Sequence, residues 1–219
     1  MANDEHVAWL KSGVDAWNRW RRENRWRSEY LHEKPDRPDL SKARLRNADL
    51  PKADLRGADL SGANLRDANL SEANLSEANL SGANLGEAYL HSADLKGADL
   101  SGADLGSAEL MYAKLSGANL RRADLRRTDL SWADLSPADL SGAIMDWADL
   151  SFANLSGADL RRAWLMSANL SSANLSGADL RGALLCGALL VQTDLTGSDL
   201  SDCKIYGVSA WELAKIGGD

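Results

Sequence analysis

From position 40 to position 200 every fifth residue is Leu, with Met145 the one exception, and Ile205 carries the series one step further. Two places before each of these, from Ala43 to Ala188, the residue is Ala, interrupted only by Thr128; the series then softens to Thr193, Ser198 and Cys203. The place between is usually Asp or Asn, as in Ala58-Asp59-Leu60 and Ala73-Asn74-Leu75, so the unit is Ala-(Asp/Asn)-Leu-X-X. A period of five suits neither regular element. Successive Leu would step about 140° around an α-helix, and would fall on alternate faces of a straight strand. Such a chain can bury all its Leu together only by turning after every unit. If each pentapeptide is one side of a polygon, Ala and Leu point inward, the Asp or Asn between them points outward, and the last two residues make the corner. Gly57, Gly62, Gly82, Gly97 and Gly117 then fall at corners, as turn chemistry asks. Ser or Asp close by can bond to backbone amides. Coils stacked about 4.8 Å apart satisfy the backbone between coils and enclose layers of Leu and Ala. A composition 44% hydrophobic but only 6% aromatic is what such a core needs.

These repeats resemble the pentapeptide-repeat family, and the resemblance covers residues 38 to 207. It implies an all-β solenoid: a right-handed quadrilateral β-helix with four pentapeptides per coil. The five-residue period does not itself fix the number of sides. About eight coils would stack to about 40 Å.

An open solenoid end exposes apolar layers and unpaired backbone, so short α-helical N- and C-terminal caps are expected. Residues 4 to 31 read as one helical segment, with Val7, Leu10, Val14 and Trp17 at three- and four-residue spacing and Trp9, Trp20 and Trp26 adding bulk. Asn3 or Asp4 is the candidate N-cap, and Pro35 and Pro38 mark where helix gives way to the first coil. At the far end Ser209 to Ile216 is a short amphipathic piece that would set Trp211 over the last coil. The expected organisation is a cap segment at 1–37, the β-helix at 38–207 and a closing cap at 208–219. The segment around Trp9 to Trp20 and the closing stretch from Tyr206 to Leu213 are similar to flanks of bacterial pentapeptide-repeat modules, found alone or beside signalling domains.

Chemistry is sparse. The charge of −7, from 25 basic and 32 acidic residues, rules out a strongly basic nucleic-acid binder. The stretch Arg19 to Arg27 interleaves five arginines with Trp20 and Trp26, a pattern able to grip phosphate. Glu23 and Glu29 balance it at helical offsets and the Trp are wanted for the lid, so direct nucleic-acid binding is not expected. No long apolar run or secretory leader is present, which points to the cytoplasm and away from a membrane. Cys186 and Cys203 lack the spacing of a metal or redox motif, and His6, His32 and His91 form no cluster with them. The serines recur at one turn position, and aspartates such as Asp139, Asp159, Asp179 and Asp199 form a solvated ladder. No catalytic, metal-binding or cofactor-binding residue is expected, and the chain is not read as an enzyme.

Function is therefore sought where the repeat breaks its outward pattern. With twenty residues per coil, Tyr112, Trp132 and Phe152 share one corner, Ile144, Trp164 and Leu184 share one Asp/Asn column, and Trp147 lies at a corner between them. Clustered exposed aromatic residues mark interfaces, so these residues form the expected site for self-association or a protein partner. A basic patch accompanies them: Arg121, Arg122, Arg126, Arg127, Arg161, Arg162 and Arg181 crowd the middle coils, pairing with flanking aspartates or binding a phosphate or carboxylate. The expected function is a non-catalytic scaffold. The family resemblance also implies an alternative, a DNA-mimicking modulator of DNA gyrase of the quinolone-protection type. Against it, the core residue is Leu rather than the Phe common in those members, and arginines interrupt the acidic columns.

Overall fold

Each pentapeptide of the repeat closes one β-turn. The Ala63 N–H donates to the Leu60 carbonyl at 2.9 Å, and the same bond recurs along the rod. The second corner residue lies in the left-handed region, at φ 58° for Lys42, 62° for Gly62 and 61° for Trp132. The outward Asp or Asn holds the first corner residue: Ser61 N–H donates to Asp59 Oδ1, and Gly86 N–H to Asn84 Oδ1, both at 3.0 Å. A short acceptor side chain two residues before an unbonded amide is an Asx turn, which explains why the outward place takes Asp or Asn rather than any polar residue.

The structure, a computed structural model, describes residues 2–31 and 37–210, with backbone alone over 25–31. Outward residues twenty apart pair in parallel, Asp39 with Asp59, Asp59 with Asn79 and onward to Asp199, so four pentapeptides make one coil. The remaining donors of the unit bond between coils: Asp59 N–H to the Pro38 carbonyl at 2.8 Å, Leu60 N–H to Asn79 at 2.7 Å and Gly62 N–H to Ser81 at 2.9 Å. With the turn and the Asx bond, all the backbone donors of the unit are satisfied. The result is a quadrilateral β-solenoid with a helical N-terminal cap. We number its sides by their outward columns: side 1 runs from Asp39 to Asp199, side 2 from Arg44 to Lys204, side 3 from Asp49 to Ser209 and side 4 from Asp54 to Asp194. Each corner takes the number of the side before it.

Leu and Ala side chains fill the interior from Leu40 to Leu195, and Met145 is buried in the place of a Leu. Thr128 and Thr193, in the Ala column, are wholly buried. Their hydroxyls donate to the Leu105 and Leu170 carbonyls one coil below, at 2.8 Å each, so the departures keep the inward direction without leaving a polar atom unpaired. Corner 4 holds a break in corner geometry in the middle of the rod. At Pro137 the ring excludes a positive φ and removes the donor. The turn bond from Ala138 to Leu135 survives at 2.7 Å, but neither Gly117 nor Pro137 donates to the coil above.

The N-terminal segment, expected as one helix, is two: α1 (Asp4–Lys11) and α2 (Val14–Leu31), broken at Gly13, whose φ of 105° only glycine adopts readily. Asn3 is the N-cap of α1, accepting from the Glu5 and His6 amides at 2.9 and 3.4 Å. Leu10 and Trp17 are buried against the first coil, and Trp20 packs on Trp17 and His6 with ring centroids 5.0 and 5.1 Å apart. Side chains of the cap also replace a missing lower coil. On side 4 the Asp54 N–H donates to Asn18 Oδ1 at 2.8 Å and its carbonyl accepts from Trp17 Nε1 at 2.8 Å. The Lys52 and Arg56 carbonyls accept from Asn18 Nδ2 and Arg21 at 3.0 and 2.6 Å. On side 1 the Asp39 N–H donates to His6 Nδ1 and its carbonyl accepts from the Asn3 N–H, both at 3.0 Å. The edge is thus closed to strand pairing on these two sides. The expected closing cap around Trp211 lies outside the described residues.

Candidate functional site

Tyr112, Trp132 and Phe152 occupy corner 3 on three successive coils, at φ 60°, 61° and 59°. The Trp132 and Phe152 rings stack with centroids 4.4 Å apart and planes within 6°, and Tyr112 continues the ladder at 6.2 Å and 29°. About half of each side chain remains exposed. A bulky residue in the left-handed region carries backbone strain that glycine avoids, and many other corners of this rod do carry glycine. Lys42, Glu72 and Arg122 hold similar angles at other corners, so what sets these three apart is their exposed aromatic surface.

Ile144, Trp164 and Leu184 pair in register on side 2, with Trp164 exposed and the other two half-buried. They displace the Asp or Asn that holds the corner. One replacement is visible: Asp146, from the coil below, accepts the Met166 N–H at 3.0 Å. Trp147, at corner 2 with φ 63°, is the most exposed of these residues at 66%. The polar column of Asp129, Asp149 and Asn169 on side 3 separates corner 2 from the corner 3 ladder, so the residues form two neighbouring patches rather than one strip. Two exposed apolar residues of side 3, Tyr89 and Leu189, escaped the sequence reading. Their signal was available, since each stands where the unit calls for Asp or Asn.

The arginines divide. Arg121, Arg122, Arg161, Arg162 and Arg181 gather at corner 1 around a groove of about 630 Å³, whereas Arg126 and Arg127 lie at corner 2. Most are paired. Arg121 reaches Asp139 at 3.3 Å, Arg161 reaches Asp159 at 2.5 Å and Asp179 at 3.6 Å, Arg181 reaches Asp179 at 2.6 Å and Asp199 at 3.6 Å, and Arg126 pairs with Asp124. Side-chain hydrogen bonds from Arg126, Arg161 and Arg181 hold the Asp124, Asp159 and Asp179 carboxyls below the usual carboxylate range. Asp199 is held low mainly by the Ser201 hydroxyl and amide. On side 1 three guanidinium groups thus pair with the four carboxylates from Asp139 to Asp199, with Ser141 standing between Asp139 and Asp159, and most of the ladder's charge is offset. Elsewhere an Asn amide separates the charges, as Asn79 Nδ2 to Asp59 Oδ1 at 3.1 Å and Asn119 Nδ2 to Asp99 Oδ1 at 2.9 Å.

The family model described as Pentapeptide repeats matches residues 39–76, 68–106, 103–142, 143–182 and 173–209, which together span the whole solenoid. The chain is a pentapeptide-repeat protein. It is 40% identical to HetL, a pentapeptide repeat protein involved in heterocyst differentiation regulation from the cyanobacterium Nostoc, over 78% of this chain and 83% of that one, with a TM-score of 0.40. QnrB1, a plasmid-mediated fluoroquinolone resistance protein, matches 74% of this chain and 88% of its own at 20% identity and a TM-score of 0.61. That likeness shows a shared pentapeptide-repeat fold. No curated protein matches the sequence. Among the described residues of this pentapeptide-repeat protein, no helix is long and apolar enough to cross a membrane.

Proposed function

We propose that this protein is a non-catalytic interaction scaffold whose aromatic corner docks another protein chain, a second copy included. One observation carries the reading: Tyr112, Trp132 and Phe152 are stacked in register and half-exposed at a corner place that most of the rod fills with glycine or a polar residue. Stacking between neighbours contributes about 0.5–1.5 kcal/mol per pair. That gain is modest beside the apolar ring surface left in water on all three residues. Their edges, presented in a row along a rigid rod, suit a partner surface, where aromatic residues carry a large share of binding energy. The side 2 patch of Ile144, Trp164 and Leu184 supports the same reading, because those residues displace Asx caps at corner 2.

The gyrase-modulator reading has weaker support. Imitating duplex DNA requires unneutralised carboxylates at phosphate-like intervals. On this rod the longest run of aspartates, Asp139 to Asp199, is interleaved with arginines.

Sedimentation velocity over a concentration series, together with affinity capture from the native cell, tests the proposal on the wild type and a Trp132→Ser/Phe152→Ser variant. Serine already occupies left-handed corners at Ser92, Ser107 and Ser172, so the variant folds. Assembly or partner capture that the variant loses is the expected result. A monomeric wild type whose captured partners all persist in the variant refutes the reading.

A further inference from the structure

Two patches of this rod set apolar rungs beside a column of charge, and the charges are opposite. At corner 3 the rings of Tyr112, Trp132 and Phe152 rise through three coils, and the side 3 column just before them holds Glu109, Asp129 and Asp149. Asp129 and Asp149 accept the Ser131 and Ser151 amides through Oδ1, both at 2.9 Å, and among the described residues neither makes an ion pair. Glu109 contacts His91 Nε2 at 2.8 Å.

On side 2 Ile144, Trp164 and Leu184 also rise through three coils, and corner 1, just before them, holds Arg122 and Arg162. Both arginines are exposed, and among the described residues neither makes an ion pair, whereas Arg121, Arg161 and Arg181 beside them lean onto side 1 aspartates. Their stems run the same way along the corner: the Arg122 Cγ lies 3.6 Å from where a Cβ on Gly142 would stand, and the Arg162 Cγ 3.6 Å from one on Gly182. The guanidinium groups are thus carried beside Ile144 and Leu184 and stay two coils apart, about 9.6 Å at the usual strand spacing. Glu109 and Asp149 are two coils apart as well.

In both patches the charged column precedes the apolar one around the coil. Two surfaces of the same hand meet charge to charge only when one rod is turned end over end. Antiparallel rods with Trp132 against Trp164 of a second copy then set Tyr112 against Leu184 and Phe152 against Ile144. In that register the second copy's Arg162 faces Glu109 and its Arg122 faces Asp149. Pairing corner 3 with itself is disfavoured by like charge, since Asp129 would meet Asp129 in antiparallel rods and Asp134 in parallel ones.

Building on the docking role proposed for the aromatic corner, we infer that its partner is a second copy of this chain, whose side 2 column and corner 1 arginines pack antiparallel against it. The apolar rungs supply most of the contact, and the charges along its rim fix orientation and register. Corner 2 separates the two patches on one rod, so a pair of rods cannot satisfy both at once. The contact is heterologous, and assembly continues past the dimer.

Sedimentation velocity over a concentration series, at low and moderate salt, tests this on the full chain. The wild type should grow past the dimer, less so at the higher salt. Trp132→Ser/Phe152→Ser, Arg122→Gln/Arg162→Gln and Trp164→Asn should each weaken association about tenfold or more. Ser172 and Gln192 already hold second corner places, and Asn is the unit's own outward residue, so these variants keep the fold. A mixture of Trp132→Ser/Phe152→Ser with Arg122→Gln/Arg162→Gln/Trp164→Asn should form a one-to-one dimer that grows no further, because each variant keeps one sound patch. A wild type monomeric throughout, a mixture without that dimer, or association that Arg122→Gln/Arg162→Gln leaves intact overturns the inference. If the wild type is monomeric, capture of another protein that only Trp132→Ser/Phe152→Ser loses leaves the aromatic corner a docking site for a different partner, and capture that every variant keeps removes the docking role too.

Discussion

Replacing Leu120 with Ala should destabilise the rod by about 4 kcal/mol, near the upper part of the range seen for buried Leu. Leu120 is 1% exposed, midway along the solenoid. The change removes three carbons, about 2.4 kcal/mol of transfer free energy at about 0.8 kcal/mol each. It also opens a void on the order of 80 Å³, adding about 1.9 kcal/mol if nothing moves to fill it. Movement is restricted here. The Leu120 amide is tied to Asp139 above at 2.7 Å, the Asn119 amide to Ala98 below at 2.9 Å, and each neighbour is fixed in the same way. A backbone clamped from both sides cannot collapse onto the cavity. Leu200, half-buried near the end of the described coils, has no such enclosure among the described residues, and Leu200→Ala should cost less than half as much. Urea unfolding followed by far-UV circular dichroism, fitted with a nearest-neighbour description of the coils, gives both values. An effect below about 1 kcal/mol at Leu120, or an equal effect at the two positions, would refute the clamped-core argument.

Two further outcomes are expected. Asn18→Ala removes two of the four bonds that close side 4 of the first coil, to the Asp54 amide and the Lys52 carbonyl, and should speed hydrogen exchange at Asp54 while leaving mid-rod amides unchanged; a uniform change along the rod would count against an edge-closing role. Acid should weaken the fold through Asp124, Asp159 and Asp179, whose folded carboxyls are held below their ordinary values chiefly by arginine hydrogen bonds. Between the folded and unfolded values the unfolded state binds more protons, so their stabilisation is full above about pH 4 and is lost as pH falls through the lower folded values. Thermal midpoints measured from pH 5 to pH 2 should fall less steeply in an Asp159→Asn/Asp179→Asn variant than in the wild type.

The inward Leu and Ala, the outward Asp and the corner glycines follow from a five-residue count alone, because burial can be met in only one way at that period. The number of sides does not, since any closed polygon meets it. Parallel pairing at a spacing of twenty settles that number. The aromatic ladder was legible once twenty was assumed, because Tyr112, Trp132 and Phe152 differ by that interval. Other features depend on three-dimensional proximity. Nothing in the run from Arg121 to Arg181 says which guanidinium groups find a carboxylate, because that depends on whether the first or second corner residue leans toward side 1. The dual role of Asn18 likewise rests on an approach of the cap to Asp54, 36 residues away. Gly13 was visible in the sequence, but helical spacing continued on either side of it and masked the break between α1 and α2.

Parallel pairing at an interval of twenty makes position on the surface a matter of arithmetic, and insertions and deletions inherit that rule. Excising a full coil, such as residues 121–140, would lower Phe152 onto Tyr112 and leave every later column where it stands. Excising a single pentapeptide, such as residues 136–140, would preserve the core equally well yet turn everything beyond it by one side, moving Phe152 from Trp132's corner to corner 2. The length of such a rod can therefore drift in steps of five without harm to its interior, while its surface pattern survives only steps of twenty.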